Sequence, residues 1–321
     1  MSNTYLVTGA NSGLGLDSVR RLAEMADTAK VYMGCRTEQK ALDAMKVLHA
    51  RGIDTTKLQY VQFDASKSEE EIKKTVKLGF QESELNGLIL NAGGVGNSKT
   101  GGVAAGPNHV LDVYQINVIG HIQLVEALKA FNKLANNAKL VYSGSETARG
   151  VPIMGFPAPE MGNTQEWYTE RLEGKSTSKK SFDPMEVYGM SKGFAALYFA
   201  EWARRNPNFM VWVVSPGAAT GTNGYNVKAI PLHMRLTMPV MKHLMKLFGM
   251  FHSVEHGSAR YIDTLLMKDH NYPSGSFLAS KATKMTGPLI LQTTIPTGEK
   301  YANPTMQKAA YEALSKYVTT V

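Results

Sequence analysis

The 321-residue chain has a single cysteine, Cys35. One thiol excludes an internal disulfide, and it also excludes a metal site built from several thiolates. No run of the sequence approaches the ~18–20 consecutive apolar residues that a membrane-spanning helix needs. With 43% hydrophobic and 19% charged residues, the composition is that of a globular chain and not of a disordered one. We therefore expect a globular protein without a metal site or an integral membrane span.

The sequence also lacks a block of lysine and arginine residues, although its formal net charge is +8. The basic residues are scattered and do not alternate with aromatic side chains, so the charge predicts no nucleic-acid partner. A strand-like pattern begins at Thr4, which leaves no segment for a cleavable signal peptide. Together with the single thiol, this pattern favours the cytoplasm.

What the sequence does contain is an alternation of short apolar runs with longer amphipathic stretches. Such runs are typical of parallel strands that are buried on both faces. The predicted strands are 4–8, 30–34, 58–63, 87–91, 139–143, 209–214 and 276–279, and the predicted helices are 14–25, 39–49, 68–78, 110–134, 185–205 and 254–267. The alternation predicts an α/β fold with a doubly wound parallel sheet, a Rossmann fold, in a single domain over residues 1–321.

Two segments interrupt the alternation. Residues 146–184 contain four prolines and predict an irregular insertion after the fifth strand. This insertion either covers the active site or lies on the surface away from it. Residues 218–253 follow the sixth strand and contain five methionines, which suit a substrate lid over an apolar ligand. Core packing and peripheral contact with a membrane surface are the alternatives for this second segment.

The first predicted strand runs into the glycine-rich turn Thr8-Gly9-Ala10-Asn11-Ser12-Gly13-Leu14-Gly15. After a strand and before a helix, such glycines let the backbone approach a pyrophosphate, and the helix N-terminus supplies free N–H groups. Ordinary turns also contain glycines, but this context favours dinucleotide binding. The residues that we predict to contact the dinucleotide here are Gly9, Asn11, Ser12, Gly13, Leu14 and Gly15.

The end of the second predicted strand indicates which dinucleotide is bound. Enzymes that select NAD usually have Asp or Glu there to bind the ribose 2′-hydroxyl. This chain has Gly34-Cys35-Arg36 instead. A guanidinium suits a 2′-phosphate, because it forms charge-assisted bidentate hydrogen bonds. The alternative is that Arg36 is only an exposed loop cation, and we predict NADP(H) as the cofactor.

Polar residues also follow the third and fourth predicted strands. Ligands of such sheets bind outside the carboxyl ends of the strands, where Asp64 and Asn91-Ala92-Gly93 fall. We predict that Asp64 meets the adenine and that Asn91, Ala92 and Gly93 contact the dinucleotide. Asp64 could instead cap the following helix, and Asn91 could be only a turn former.

Tyr188 and Lys192 lie four residues apart near the start of a predicted helix, so they share a helix face. A cation one turn away favours the phenolate form of a tyrosine, which general acid–base chemistry at neutral pH requires. The Tyr-x-x-x-Lys spacing alone is weak evidence, because chance produces it often.

In combination and in this order, these features resemble the classical short-chain dehydrogenase/reductase family. The matching pieces are Thr8–Gly15, Asn91-Ala92-Gly93, Asn117, Ser145, Tyr188 with Lys192, and Ser215-Pro216-Gly217 with Thr220. The resemblance covers about residues 4–280. It implies an oxidoreductase in which NADP(H) carries the hydride and the protein positions the reactants and supplies the proton.

The resemblance also implies a role for each residue of the site. Tyr188 would be the general acid–base, and Ser145 would hydrogen-bond the substrate oxygen, with Ser143 as the competing candidate. Lys192 would favour the phenolate and hold the nicotinamide ribose. Asn117 would stabilise a bent helix and a water leading to Lys192, or it is a mid-helix Asn bonded to a backbone carbonyl. Three further residues would lie near the nicotinamide: Pro216, Gly217 and Thr220.

The segments Cys35-Arg36 and Asn117-Val118-Ile119-Gly120-His121 resemble those of a subset of the family. That subset includes retinol-type dehydrogenases and light-dependent protochlorophyllide reductases, which act on large apolar substrates. The photoreductases have a cysteine directly after Pro-Gly, where this chain has Ala218. We therefore expect a reductase or dehydrogenase for a fairly large apolar carbonyl or alcohol, with the photoreductase as an alternative.

A non-catalytic dinucleotide sensor on the same fold is another alternative, and the presence of both Tyr188 and Lys192 argues against it. Family members often form homodimers through the helices that we predict at 110–134 and 185–205. The insertion at 146–184 could block that pairing.

Overall fold

The computed structural model describes residues 2–80, 84–95, 107–152, 155–175, 184–219, 251–267 and 271–319. Within these residues, one sheet has the strand order β3-β2-β1-β4-β5-β6-β7-β8. The strands are β1 Asn3–Thr8, β2 Thr28–Cys35, β3 Leu58–Gln62, β4 Leu85–Leu90, β5 Leu134–Ser143, β6 Met210–Val214, β7 Phe277–Ala279 and β8 Ile290–Leu291. Strands β1 to β7 pair in parallel, and β8 pairs antiparallel with β7.

Helices cover both faces of this sheet. They are α1 Gly13–Glu24, α2 Glu38–His49, α3 Glu69–Gly79, α4 Asp112–Tyr114, α5 Gly120–Ala130, α6 Gln165–Leu172, α7 Pro184–Arg205, α8 Val254–Leu265 and α9 Pro304–Ser315. None of the helices in the described part of the chain combines the length and the hydropathy needed to cross a bilayer.

The alternation of side chains along the strands explains the two helical layers. In β5, Val141 belongs to the core cluster formed with α1, α2 and α8, whereas Leu140 and Tyr142 belong to the cluster formed with α3, α5, α7 and α9. Successive residues of a strand point to opposite faces, so a strand covered on both sides must be apolar at nearly every position. The predicted doubly wound parallel sheet is therefore confirmed.

The predicted helix at 110–134 is interrupted in the structure. A π-helical turn, Gln115–Ile119, separates α4 from α5, and β5 already begins at Leu134. Asn117 lies in this turn and donates from Nδ2 to the carbonyl oxygen of Val113 at 2.9 Å. The predicted helix is therefore present over residues 112–130 with a π-helical bulge, which apolar periodicity does not register, and its predicted end at 134 was four residues too late.

The predicted insertion is more regular than its prolines suggest. Thr164 caps α6 by accepting from the backbone N–H of Trp167 at 3.3 Å, and α6 buries Tyr168 completely. The Tyr168 ring lies 4.8 Å from the Phe194 ring of α7, measured between centroids. The irregular insertion was thus wrong for residues 165–172, where a capped helix packs against α7.

Two elements near the end of the chain were not predicted. Helix α9 has Asn303 as its cap and Pro304 at its first position, which are ordinary signals of a helix start. Its Tyr311 stacks on Tyr198 of α7 at 5.0 Å between ring centroids. Strand β8 has two residues, too few for a periodicity.

Most of the predicted lid at 218–253 lies outside the described residues, as does Thr220. The two ends of that segment are described. Ala218 and Phe251 are buried in a small apolar cluster with Val151 of the insertion and with Met285. The start of the insertion and the segment after β6 therefore meet beside the carboxyl ends of β6 and β7.

Candidate active site

The glycine-rich turn packs tightly against the end of β4. Gly9 has a φ of +65°, and a Cβ atom on Gly15 would lie 2.2 Å from the carbonyl oxygen of Gly9. The Asn91 side chain donates to the Thr8 carbonyl at 3.1 Å, and the Thr8 hydroxyl accepts from the Asn91 backbone N–H at 2.8 Å. Glycine is required here because the backbone approaches itself more closely than any side chain allows.

The N-terminus of α1 opens beside this turn. Its cap, Ser12, has an extended backbone and makes no capping hydrogen bond through its side chain. The first turn of α1 contains no acidic residue, and Asn11, Gly13 and Leu14 are half-buried. Unpaired N–H groups and the positive end of a helix dipole suit a diphosphate, so these residues fit a dinucleotide cofactor.

At the other side of this edge, β2 ends beside Arg36, whose side chain is exposed. Thr37 is the cap residue before α2 and makes no capping hydrogen bond through its side chain, so its hydroxyl and the first N–H groups of α2 lie beside Arg36, with Glu38 in the first turn. Asp64 is half-buried after β3, and its Oδ1 accepts from the backbone N–H of Ser66 at 3.0 Å and from its hydroxyl at 2.8 Å. Asp64 therefore closes a turn, whereas Ser68 caps α3.

His121, singled out in the sequence only as part of a motif, holds the turn after β4. The imidazole is completely buried, and its Nε2 lies 2.7 Å from the Ala92 carbonyl oxygen. Burial lowers the pKa of His121 to about 4, so at neutral pH the ring is uncharged and Nε2 carries the hydrogen that it donates. The hydrogen bond from the neutral His121 to the Ala92 carbonyl thus holds the backbone of Asn91-Ala92-Gly93 in place.

Asn117 fixes the same turn from the π-helical side. Its Oδ1 accepts from the Gly94 N–H at 3.0 Å, and its Nδ2 donates to the Gly94 carbonyl at 2.7 Å. A Cβ atom on Gly93 would lie 2.4 Å from Asn117 Oδ1 and 3.8 Å from Lys192 Nζ. The backbone carbonyl of Asn117 accepts a hydrogen bond from the Tyr142 hydroxyl.

Lys192 is buried at the centre of the site. Its Nζ donates to the Ser143 carbonyl at 2.8 Å and lies 5.0 Å from the centroid of the Tyr142 ring and 5.6 Å from that of Tyr188. Burial lowers the pKa of Lys192 to about 7, because the charged form loses its hydration. The lysine and the phenol of Tyr188 therefore face the same side of α7, as their spacing predicts.

The two candidate serines differ in what their hydroxyls do. Ser143 is buried, and its Oγ lies 2.6 Å from the hydroxyl of Tyr261. Ser145 is half-buried, and its Oγ accepts from the N–H of Thr147 at 3.2 Å and from its hydroxyl at 2.9 Å. No group among the described residues accepts the Ser145 hydroxyl hydrogen, so that hydrogen is available to a ligand.

Tyr188 reaches this edge because α7 packs on the turn after Ser145. A Cβ atom on Gly189 would lie 3.0 Å from the carbonyl oxygen of Thr147. This close approach brings the half-buried Tyr188 and Ser145 to the same edge of the sheet. Pro216 and Gly217 are half-buried after β6 at that edge, and Thr220 lies outside the described residues.

Comparisons with known proteins bear on the family and the fold. Residues 3–157 match the family model described as short chain dehydrogenase. A short-chain dehydrogenase/reductase of Armillaria gallica is 40% identical over 87 residues, which are 27% of this chain and 27% of that relative. The aligned part thus spans about a quarter of that relative's length.

Solved structures share the fold over most of the chain. Salutaridine reductase from Papaver somniferum has a TM-score of 0.59 and 19% identity, and the match covers 86% of this chain and 99% of that one. The NADPH-bound carbonyl reductase from chicken fatty liver has a TM-score of 0.56 and 18% identity, covering 89% and 99%. With the family model and the motif order, these findings identify the fold and its class. The chain is therefore similar to the short-chain dehydrogenase/reductase family of oxidoreductases, with the family model matching residues 3–157.

Proposed function

We propose that the protein is an NADPH-dependent oxidoreductase that reduces the carbonyl group of a fairly large apolar substrate or oxidises the corresponding alcohol. One observation carries this proposal: Tyr188, Lys192 and the uncommitted hydroxyl hydrogen of Ser145 lie at one edge of the sheet. The acid-free N-terminus of α1 lies at the same edge. Bound NADPH supplies the hydride, and the protein supplies position and a proton.

The residues divide the proton chemistry between them. Because Thr147 donates twice to Ser145 Oγ, the remaining Ser145 O–H points to a ligand and donates to the substrate oxygen. Tyr188 gives its phenolic proton to that oxygen in reduction and takes it back in oxidation. Lys192, held by the Ser143 carbonyl, places a cation near the Tyr188 ring and the cofactor ribose.

The preference for NADPH is supported by the charges beside β2. Arg36 is exposed and makes no ion pair among the described residues, and the uncapped start of α2 adds N–H donors next to it. A 2′-phosphate would meet both groups. The carbonyl reductase from chicken fatty liver, which shares the fold, is described as NADPH bound.

An apolar substrate is supported by the surroundings of Gly217. Ala218 follows it and is buried with Val151, Phe251 and Met285, so the surroundings of this loop are apolar. Ala218 also stands where the light-dependent reductases have cysteine, which supports a reaction that proceeds in the dark. Cys35 is a buried free thiol, and we keep the cytoplasm as the proposed compartment.

The experiment is an NADPH-oxidation screen in the dark against ketones, aldehydes and quinones of graded size. Tyr188→Phe should bind NADPH and lose about 10²- to 10⁴-fold in turnover, since it keeps the ring and removes the proton. Tyr311→Phe is the matched control, because that ring stacks on Tyr198 far from the cofactor edge. Turnover only under illumination would support a photoreductase, and NADPH binding without any turnover would support a sensor.

A further inference from the structure

A buried ion pair lies directly behind the proposed substrate serine. Glu146 follows Ser145 in the chain, and its Oε1 lies 3.4 Å from Nη1 of Arg260 in α8. The side chains are 6% and 9% exposed, so both charges have left water. A buried pair is weak evidence for stability, because apolar residues of similar volume often stabilise as well or better. The position of the pair next to Ser145 is more informative about its function than its effect on stability is.

The pair joins the ends of three parallel strands. Glu146, after β5, accepts from the backbone N–H of Ser280 at 3.3 Å and from its hydroxyl at 3.0 Å, both after β7. The other carboxylate oxygen accepts from the hydroxyl of Ser215, after β6. Arg260 donates to the Ser215 carbonyl at 3.0 Å, to the Ser280 hydroxyl at 2.8 Å and to the Gly287 carbonyl at 2.6 Å.

These bonds continue into the loop that the resemblance places at the nicotinamide. The Gly217 N–H donates to Ser215 Oγ at 3.2 Å, and Ser215 donates to Glu146. Gly217 has a φ of +76°, and a Cβ atom on it would lie 2.3 Å from His252 Nε2 and 2.9 Å from Arg260 Nη1. The backbone around Gly217 is therefore held on one side by the ion pair and has no room to shift toward it.

We propose that Glu146, Ser215 and Arg260 are positioning residues that fix the Pro216–Gly217 loop relative to Ser145, an inference that rests on the proposed function. The carboxylate belongs to Glu146, the residue after Ser145, and its partner Ser215 accepts a hydrogen bond from the N–H of Gly217. A fully paired polar network inside the protein holds its members in one geometry. Here that geometry sets the distance between the nicotinamide and the substrate oxygen.

The test that changes the structure least removes only the hydroxyl of Ser215. Ser215→Ala should lower turnover with the best carbonyl found in the screen by on the order of 10²-fold, because small misplacements of reacting groups have effects of that size. Binding of 2′-phospho-ADP-ribose, which lacks the nicotinamide, should stay at the wild-type value. Ser276→Ala is the matched control: Ser276 is also buried, precedes β7, and donates to the Pro273 carbonyl at 2.6 Å.

A second set of variants tests whether the residues act as a unit. Glu146→Gln and Arg260→Met should each lower turnover, and the double variant should lose no more than the worse single variant. Rescue of the Glu146→Gln loss by Arg260→Met would give the same conclusion. If Glu146→Gln does not fold, Ser215→Ala still tests whether these residues position the Pro216–Gly217 loop.

Two results would overturn the inference. One is wild-type turnover in Ser215→Ala, and the other is an equal loss of 2′-phospho-ADP-ribose binding, which would indicate general damage. Failure of the proposed function is distinct, because the wild-type protein would then oxidise no NADPH. In that case the ratio of NADPH affinity to 2′-phospho-ADP-ribose affinity still tests the loop, since only NADPH reaches Gly217.

Discussion

The ammonium of Lys192 donates to the backbone carbonyl of Ser143 at 2.8 Å, which joins α7 to the end of β5. The Tyr142 ring lies on another side of the same nitrogen, 5.0 Å from its centroid. This buried lysine has a pKa lowered to about 7 by desolvation, so its charge in the cofactor-free protein depends on pH near neutrality.

We therefore expect Lys192 to titrate well below the exposed lysines, and Lys300, whose pKa burial lowers to about 8, to be the nearest lysine to it. In a sample with labelled lysine side chains, its NMR resonance should shift near pH 7, whereas exposed lysines titrate near ~10.4. Lys192→Met should remove that resonance and leave the remaining ones in place. A Lys192 signal that titrates with the exposed lysines would show that water reaches the amine.

Arg36 should select the cofactor. Arg36→Ala removes a charge-assisted contact with the 2′-phosphate and should weaken NADPH binding by about ten- to a hundredfold, leaving NADH binding unchanged. Titration of both cofactors by fluorescence measures the two effects. Lys40→Ala is the control, since Lys40 is an exposed cation one turn later in α2. Equal affinity of the wild-type protein for NADH and NADPH would contradict the proposed preference.

The neutral His121 should make the fold sensitive to acid. Its pKa is about 4 when folded and about 6.5 when unfolded, so the unfolded chain takes up the proton first as the pH falls. Stability is thus present above about pH 6.5 and lost on the way down to about pH 4. Between about pH 7.5 and pH 5 the wild-type protein should lose about 2 kcal/mol more unfolding free energy than His121→Gln.

Urea denaturation at the two pH values measures this difference. His252, whose pKa is also lowered to about 4, is present in both proteins, so its contribution cancels. Parallel losses in wild type and variant would mean that His121 is protonated in the folded protein.

The protein should be a monomer. Helix α6 packs on α7 through Tyr168 and Phe194, and α9 packs on it through Tyr311 and Tyr198. Helix α7, one of the two helices through which the resemblance implies pairing, is therefore covered by the chain itself at Phe194 and Tyr198. Light scattering after gel filtration should give a mass near 35.1 kDa, and removal of residues 304–321 should cause self-association. A stable dimer of the intact chain would contradict the prediction of a monomer.

The local pattern of the sequence was enough for the seven parallel strands, for most of the helices between them and for the glycine turn. These features depend on residues that are close together in the sequence. Leu140 and Val141 are part of a continuous apolar run that predicts β5. Gly9 and Gly15 mark the turn in which two stretches of backbone touch. The seven parallel strands were placed to within a few residues for this reason, except that β5 begins five residues before its predicted start of 139, at Leu134. The catalytic and cofactor-binding roles of the named residues stay predictions until the variants are measured.

Other properties depended on contacts between distant parts of the chain. The resemblance already favoured Ser145 over Ser143, and the structure adds the physical difference: the hydroxyl of Tyr261, 118 positions after Ser143, lies 2.6 Å from Ser143 Oγ. The ion pair of Glu146 and Arg260 spans 114 positions. The charge of Lys192 and of His121 likewise follows from burial, and burial is a property of the assembled layers. No periodicity along the chain records which side chains meet when strands and helices pack, so these features were decided by the tertiary structure.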